Sequence, residues 1–453
     1  MLKDNPRESG QADLYRARLI SIIDLRHELV KLAGLVEWES LKSDLASFYC
    51  VEQGRPGGSI RLMAGLCFLK DLKGLSDEEV CEVWRENPYF QYFCGEEYFQ
   101  HRLPVEPPSL SIFRKRIGEK GAQRLLEETI RLGLKTGAVK ASEINRINVD
   151  TTVQEKAIKF PTDTQLCHKA REELVKTARH HGVALRQSYV RKSKHALYLA
   201  NRFMAARHMK KGRAMIRKVR NYLGRVMRDI ERACTVTPQL RGLFEIELAK
   251  AKKIYAQTLN PKAPDKIYSW HAPEVECIAK GKAHKRYEFG CKAAIASTNK
   301  SNFIVGMMAH HGKPYDGHTL RATLEQVRCL TGIKPVEVNV DLGYRGHGIS
   351  EKTDGYNIIL SHQKRGITPA KRQRQRRRSA IEPIIGHCKN DRKVGPRNWL
   401  RGKIGDQINA LAMATGFNLR KILRMISLWL IARWIIWISQ FRQSFLPVAN
   451  NIF

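Results

Sequence analysis

The chain has 453 residues, with 80 Lys and Arg against 44 Asp and Glu, a formal net charge of +36 and a pI near 10.0. That length supports two or more domains with a sizeable core. The charge lies far outside ordinary globular balance and points to a polyanionic partner. Nucleic acid comes first, because neutralising phosphates releases counterions; an anionic membrane surface is the other candidate. Ten cysteines with no Cys-x-x-Cys pair, and no secretory signal, argue against a disulfide scaffold and read as reduced cytosolic thiols.

In chain order, residues 1–58 read as a helical lead-in. Leu19, Ile22, Ile23, Leu29 and Leu32 recur at near-helical spacing until Gly54 to Gly58 breaks the pattern. Residues 59–135 read as a second helical module. Ser76-Asp77-Glu78-Glu79 is a capping box with Val80, Val83 and Trp84 on one face behind it. Pro104, Pro107 and Pro108 force an extended connection, after which Ser109 or Ser111 is expected to cap a helix carrying Arg114 and Arg116. Short helices ending in a basic one suit a helix-turn-helix-like DNA-binding module with Arg114 and Arg116 as contacts. A plain bundle with a solvated charged face fits the same pattern.

Near Ile144 the texture turns to β-type runs: Arg146 to Asp150, Arg286 to Ser297, Phe303 to Ala309, Val336 to Asp341 and Tyr356 to Ser361. A helical piece, Thr319 to Leu330, separates the third from the fourth, and a helix carrying Glu382 follows the fifth. The fold expected is α/β, a mixed-sheet core formed by 140–160 plus 265–400. Residues 161–264 read as an inserted bundle of about three long helices. Ile216, Val219, Leu223, Val226 and Ile230 form one seam; Val183, Val190, Leu197 and Met204 repeat every seven residues; Leu240, Phe244, Leu248, Ala251 and Tyr255 form a third pattern. The cations on its polar faces, among them Arg191, Lys192, Lys210, Lys211, Arg213 and Arg217, outnumber acids so heavily that a phosphate-tracking surface is expected. Residues 401–453 form a helical tail. Its apolar stretch Met425 to Ile438 contains Arg433 and falls short of the roughly 20 residues a spanning helix needs, so a packed helix and no membrane partner are expected.

Three acids stand out. Asp150 and Asp341 each end a strand-like run, and Glu382 lies within the cations Arg376, Arg377, Arg378 and Lys389, with Arg392 and Lys393 just beyond. Three carboxylates converging at a sheet edge would hold two Mg²⁺ ions, which bind phosphates readily and serve in-line displacement at phosphorus. Taken singly, Asp150 is equally a turn residue, Asp341 a strand terminator and Glu382 a counter-charge to Arg378.

Val149-Asp150-Thr151-Thr152, Asp341-Leu342-Gly343-Tyr344-Arg345-Gly346 and the set Arg378, Glu382, Lys389 at their spacings resemble the motifs of DDE transposases of bacterial insertion sequences. The resemblance is to the group with the Tyr-Arg-Glu-Lys third motif, named for insertion sequences four and five. Gln375 stands at the Tyr position. Tyr315 to Thr319 and Gly405 to Ala410 also resemble blocks of that group, and the match runs from about Leu62 to Lys421. The resemblance implies a ribonuclease-H-like catalytic core with a helical N-terminal module and a long helical insertion. It makes Asp150, Asp341 and Glu382 catalytic ligands of two Mg²⁺ ions, with Mn²⁺ as a substitute. Arg378, Lys389, Tyr344, Arg345, Arg392 and Lys393 become DNA contacts, alongside Arg114 and Arg116. Terminal inverted repeats and target DNA are the implied partners, in a homodimer or higher synaptic complex in the bacterial cytoplasm at the nucleoid. Pro383 directly after Glu382 is tolerated in a helix only near the first turn or at a kink, so that acid is expected at the start of its helix. A DNA-binding protein of transposase descent that no longer cuts, and a structure-selective nuclease, remain the competing functions.

Overall fold

The computed structural model describes residues 17–50, 57–260, 262–279, 285–361, 368–391 and 395–445, with the backbone alone over 431–445. The chain divides into two compact units, one of residues 1–154, 292–400 and 404–453, the other of 155–291 and 401–403.

The first unit opens with α1 (Glu28–Leu35), α2 (Trp38–Ala46), α3 (Ile60–Lys73), α4 (Asp77–Glu86), α5 (Pro88–Phe93) and α6 (Pro108–Thr136). The capping box ahead of α4 forms as expected: Glu79 N–H donates to Ser76 Oγ at 3.0 Å and Ser76 N–H to Glu79 Oε2 at 2.8 Å. Neither Ser109 nor Ser111 caps α6. It starts at Pro108, whose missing N–H is no loss in a first turn, and it kinks at Gly118 (φ 57°, ψ −154°), a conformation open to glycine. The lead-in, the second module and the tail share one hydrophobic core. Leu32 and Leu41 (α1, α2), Phe68 (α3), Trp84 (α4) and Phe113 and Leu126 (α6) are buried in it. Each such side chain contributes on the order of 1.5–3 kcal/mol by leaving water.

Strand β1 (Arg146–Glu155) follows, and the chain enters the second unit. That unit holds four long helices where three were expected: α7 (Asp163–His180), α8 (Val190–Ala205), α9 (Met209–Val236) and α10 (Leu240–Leu259). The seam of α9 is as read, with Val219, Leu223, Val226 and Ile230 buried. The seven-residue repeat is not a seam. Val183 falls in the loop between α7 and α8, and Val190 and Met204 are 41% and 39% exposed. The pattern that matters lies in α7, where Leu166, Cys167, Ala170, Leu174, Val175 and Ala178 fill one face.

Strand β2 (Glu276–Ala279) pairs antiparallel with the first residues of β3 (Tyr287–Thr298). In the first unit β3 continues, antiparallel to β4 (Ile304–His310). Helix α11 (Asp316–Thr331), β5 (Glu337–Val340), β6 (Asn357–Leu360), α12 (Ile381–Asn390) and the long α13 (Gly402–Phe445) complete the chain. The sheet runs β2-β3-β1-β5-β6 with β4 also on β3; β5 is parallel to β1, and β6 to β5. All five expected strands are present, and the α/β mixed sheet is as predicted.

The first part of helix α13 belongs to the hydrophobic core of the first unit. Ile408, Leu411, Ala414, Leu419 and Ile422 join the core of α3 and α6. A Cβ at Gly416 would lie 2.3 Å from the Asp71 carbonyl oxygen, so the helices meet where only glycine fits. Among the described residues no helix is long and apolar enough to cross a membrane.

Candidate active site

Strand order dictates where the first two acids go. In the parallel β1–β5 pair, Ile147 faces Val338 and Asn148 faces Asn339. Two residues further along each strand stand Asp150 and Asp341, at corresponding positions and hence on the same side of the pleat. Asp341 lies one residue past the end of β5.

Both carboxylates meet one cation. Arg378 Nη1 lies 3.1 Å from Asp150 Oδ2, and Nη2 lies 3.6 Å from Asp341 Oδ1. The guanidinium is only 13% exposed, whereas Asp341 is 48% exposed. Asp341 Oδ1 also accepts from Ser361 Oγ at 2.9 Å, and Asp150 Oδ1 from the Thr151 N–H at 2.7 Å. Two like charges on adjacent strands repel unless a cation stands between them, and Arg378 does so; β1 runs on past Asp150 to Glu155, so the first acid lies within its strand and does not end it.

The segment bearing Arg378 is fixed to the sheet by polar side chains. A helix Pro369–Arg376 passes into a 3₁₀ turn Arg377–Ala380 and then into α12. The buried Asn299 amide donates to Asn148 Oδ1 at 2.7 Å and to the Arg374 carbonyl at 3.1 Å. Asn148 Nδ2 in turn reaches the Arg377 carbonyl at 3.4 Å. Arg374 pairs with Glu337 of β5 at 2.8 Å, and Gln375, at the Tyr position of the third motif, donates to the Leu360 carbonyl of β6 at 2.5 Å. Pro383 sits in the first turn of α12 as expected. Its missing N–H would have bonded the Ser379 carbonyl, which lies in the 3₁₀ turn, so the tighter turn absorbs the proline.

Glu382, at the second residue of α12, is exposed. Among the described residues no group of three or more His, Cys, Asp or Glu side chains could hold a metal ion. Asp150 and Asp341 are thus brought together through Arg378, and Glu382 is placed four residues beyond that arginine on the same helical path, without closing a triad.

The proposed DNA contacts divide. Arg345 and Arg116 are exposed, Arg116 stacked 4.5 Å over the Tyr49 ring, and Lys389 is half-buried. Arg392 and Lys393 lie outside the described residues. Two assignments need correction. Arg114 is buried and forms a two-pronged pair with Asp77 (2.9 and 2.5 Å), which also pairs with Lys70. Burial pushes the Asp77 carboxyl up, but Arg114 and Lys70 override it and hold it below its ordinary range. This arginine ties α4 to α6 and is not available to a phosphate. Tyr344 is 1% exposed, inside the core of β1, β5 and α11. Burial first, then the charges of Asp150, Asp316 and Asp341, hold its phenol well above the ordinary range, so it stays neutral.

That last set exposes what the sequence reading passed over. Asp316 accepts from Thr151 Oγ1 at 2.8 Å and from Lys292 Nζ at 2.7 Å, beside the acid pair. The signal was the block Tyr315 to Thr319, noticed without a role for its acid.

Residues 17–116 match the family described as "Transposase domain (DUF772)", and residues 261–418 the "Transposase DDE domain", a span that includes Asp341 and Glu382 but not Asp150. The chain is 47% identical over 199 residues to "Uncharacterized protein ORF8 in nfe locus" of Rhizobium meliloti, across 44% of this chain and 96% of that protein. No solved structure matches. The two matched domains together span more than half of the chain and support a DDE transposase.

Proposed function

We propose that this protein is a DNA transposase that cleaves at the ends of its insertion sequence and joins them to target DNA by metal-dependent phosphoryl transfer. The observation that carries the reading is the pair Asp150 and Asp341, in matching positions on neighbouring parallel strands and sharing one guanidinium. The strand order β4-β3-β1-β5-β6, antiparallel between β4 and β3 and parallel from β1 through β5 to β6, supports a ribonuclease-H-like core.

Mg²⁺ suits this donor set: hard carboxylate oxygens that already surround a positive charge. Asp150 and Asp341 would hold two such ions, with Mn²⁺ as a substitute and Glu382 as the remaining ligand. Bound there, the divalent metal supplies activation of the attacking oxygen and stabilisation of the leaving one. Arg378 then has a phosphate as its alternative anion, and a planar fork suits that role. Arg345, Arg116, Lys389, Arg392 and Lys393 supply further cations for the backbone, and two copies holding both ends is the expected assembly.

The test uses purified protein and duplexes carrying the element end. Wild type is expected to nick and join with Mg²⁺, and Asp150→Asn, Asp341→Asn and Glu382→Gln to do neither. Equal cutting by Asp341→Asn, or by wild type in EDTA, sinks the proposal. A second reading, a DNA-binding descendant that no longer cuts, draws on the exposed Glu382 and the absence of a three-acid group among the described residues. It predicts end binding without any nicked product.

A further inference from the structure

Asp316 opens α11, where a carboxylate is favoured by the helix N-terminus. Its Oδ1 accepts from Thr151, the residue after the first acid, at 2.8 Å, and from Lys292 of β3 at 2.7 Å. Lys292 also donates to the Pro314 carbonyl at 2.6 Å, which fixes the cation as well as the acid. The other oxygen, Oδ2, faces Gly343, two residues after the second acid, where an added Cβ would lie 3.2 Å away. The neighbouring Gly317 brings the start of α11 against the same turn. A Cβ there would stand 3.1 Å from His347 Cα and 3.2 Å from the Tyr344 carbonyl oxygen. Tyr315 O–H completes the seam by donating to the Arg345 carbonyl at 2.8 Å.

We infer that Asp316 is a positioning residue: its carboxylate ties the strand after Asp150 to the start of α11, which packs against the turn after Asp341, and Lys292 holds that carboxylate in place. The inference rests on the reading of Asp150 and Asp341 as metal ligands. Ordinary packing does not call for this arrangement. The acid is 30% exposed, where water would satisfy it, yet it accepts from two side chains on two separate strands. An amide at this position keeps the shape but removes the charge that fixes Lys292, and it can turn an N–H towards the Gly343 backbone. Partners that orient ligands in this way typically carry about 10–100-fold of metal affinity.

The experiment measures Mn²⁺ binding to the full chain by electron paramagnetic resonance of the free ion, and in parallel the Mg²⁺ concentration giving half-maximal end cleavage. Asp316→Asn is expected to weaken Mn²⁺ binding about tenfold and raise the half-maximal Mg²⁺ concentration similarly, with the KM for DNA unchanged. Thr151→Val, which deletes one donor and spares Lys292, is expected to act in the same direction and less; Thr151→Ser restores wild-type behaviour. Wild-type Mn²⁺ affinity in both Asp316→Asn and Thr151→Val, with Asp341→Asn abolishing binding, overturns the inference and leaves the acid pair standing. Wild-type affinity in Asp341→Asn overturns the reading beneath it.

Discussion

The acid site of the first unit and the α8–α9 hairpin of the second handle charge in opposite ways. At the site each principal charge has a placed partner: Asp150 and Asp341 share Arg378, Asp316 has Lys292, and Arg374 has Glu337. From Val190 to Arg228 the hairpin carries thirteen Lys and Arg and no Asp or Glu. Twelve of the thirteen are exposed, and none is joined to a carboxylate among the described residues. The site depends on where its charges stand; the hairpin depends on how many it has. Single substitutions should therefore be decisive at the first and nearly silent at the second, where only several together matter.

The sharpest break falls on the acid pair. Asp150→Asn or Asp341→Asn should lower end cleavage on the order of a thousandfold or more while leaving duplex binding near wild type, as read by gel assay and filter binding on one preparation. The opposite pattern is expected from Lys210→Gln, Lys211→Gln, Arg213→Gln, Arg217→Gln and Lys218→Gln combined. Each lost phosphate contact removes about 0.9 from the slope of log K against log salt, so the slope should fall by about four and a half units if all five reach phosphates. Because these side chains are exposed, the melting temperature should not move. An unchanged slope would make the hairpin a merely solvated surface and erase the contrast.

A smaller effect tests how the site's cation is held. Asn299→Ala strands the Asn148 oxygen and the Arg374 carbonyl in a buried setting, a cost of about 1–3 kcal/mol in urea unfolding. It should also loosen the turn that carries Arg378. Lys300→Ala, exposed on the same loop and away from that contact, serves as the control; equal losses in both would mean that the amide network does not anchor the segment.

How much of this was legible depends on the distance over which each feature is encoded. The capping box at Ser76, the five strands and the α9 seam are set by residues within a few positions of one another, and local periodicity found them. Asp150 and Asp341 were legible because each follows a β-type run, although β1 continues past Asp150 to Glu155. The bridging role of Arg378 was not, since it follows from Asn148 and Asn299 gripping a segment 229 and 75 residues away, respectively. Arg114 and Tyr344 were misjudged for the same reason. Both residue types read as surface contacts until a distant partner or core takes them in, Asp77 for the first and the β1–β5 core for the second. Helix α7 went unseen because its small apolar residues, Ala170 and Ala178 among them, give a faint stripe beside the regular repeat that led into a loop.

The mildest prediction concerns His310, the last residue of β4, close to the Lys292 that braces Asp316. Burial, then the charges of Lys292 and His311, push its pKa from 6.5 down to about 4. The unfolded chain thus takes up this proton at a higher pH than the folded one. The neutral ring's contribution to stability is full above pH 6.5 and is lost as pH falls towards 4. The loss is at most about 1.4 kcal/mol per pH unit in that window, and less because solvent reaches the half-buried ring. His310→Gln removes the titration. Melting curves of wild type and variant should run parallel above pH 7 and converge as the pH drops through 6 and 5. Curves that stay parallel to pH 4 would show that His310 titrates as it does in the unfolded chain and that β4 is open to water beside Lys292. The brace on Asp316 would then be as well hydrated as the hairpin's cations, and the contrast between the two regions would narrow at the point where the site's geometry is most tightly specified.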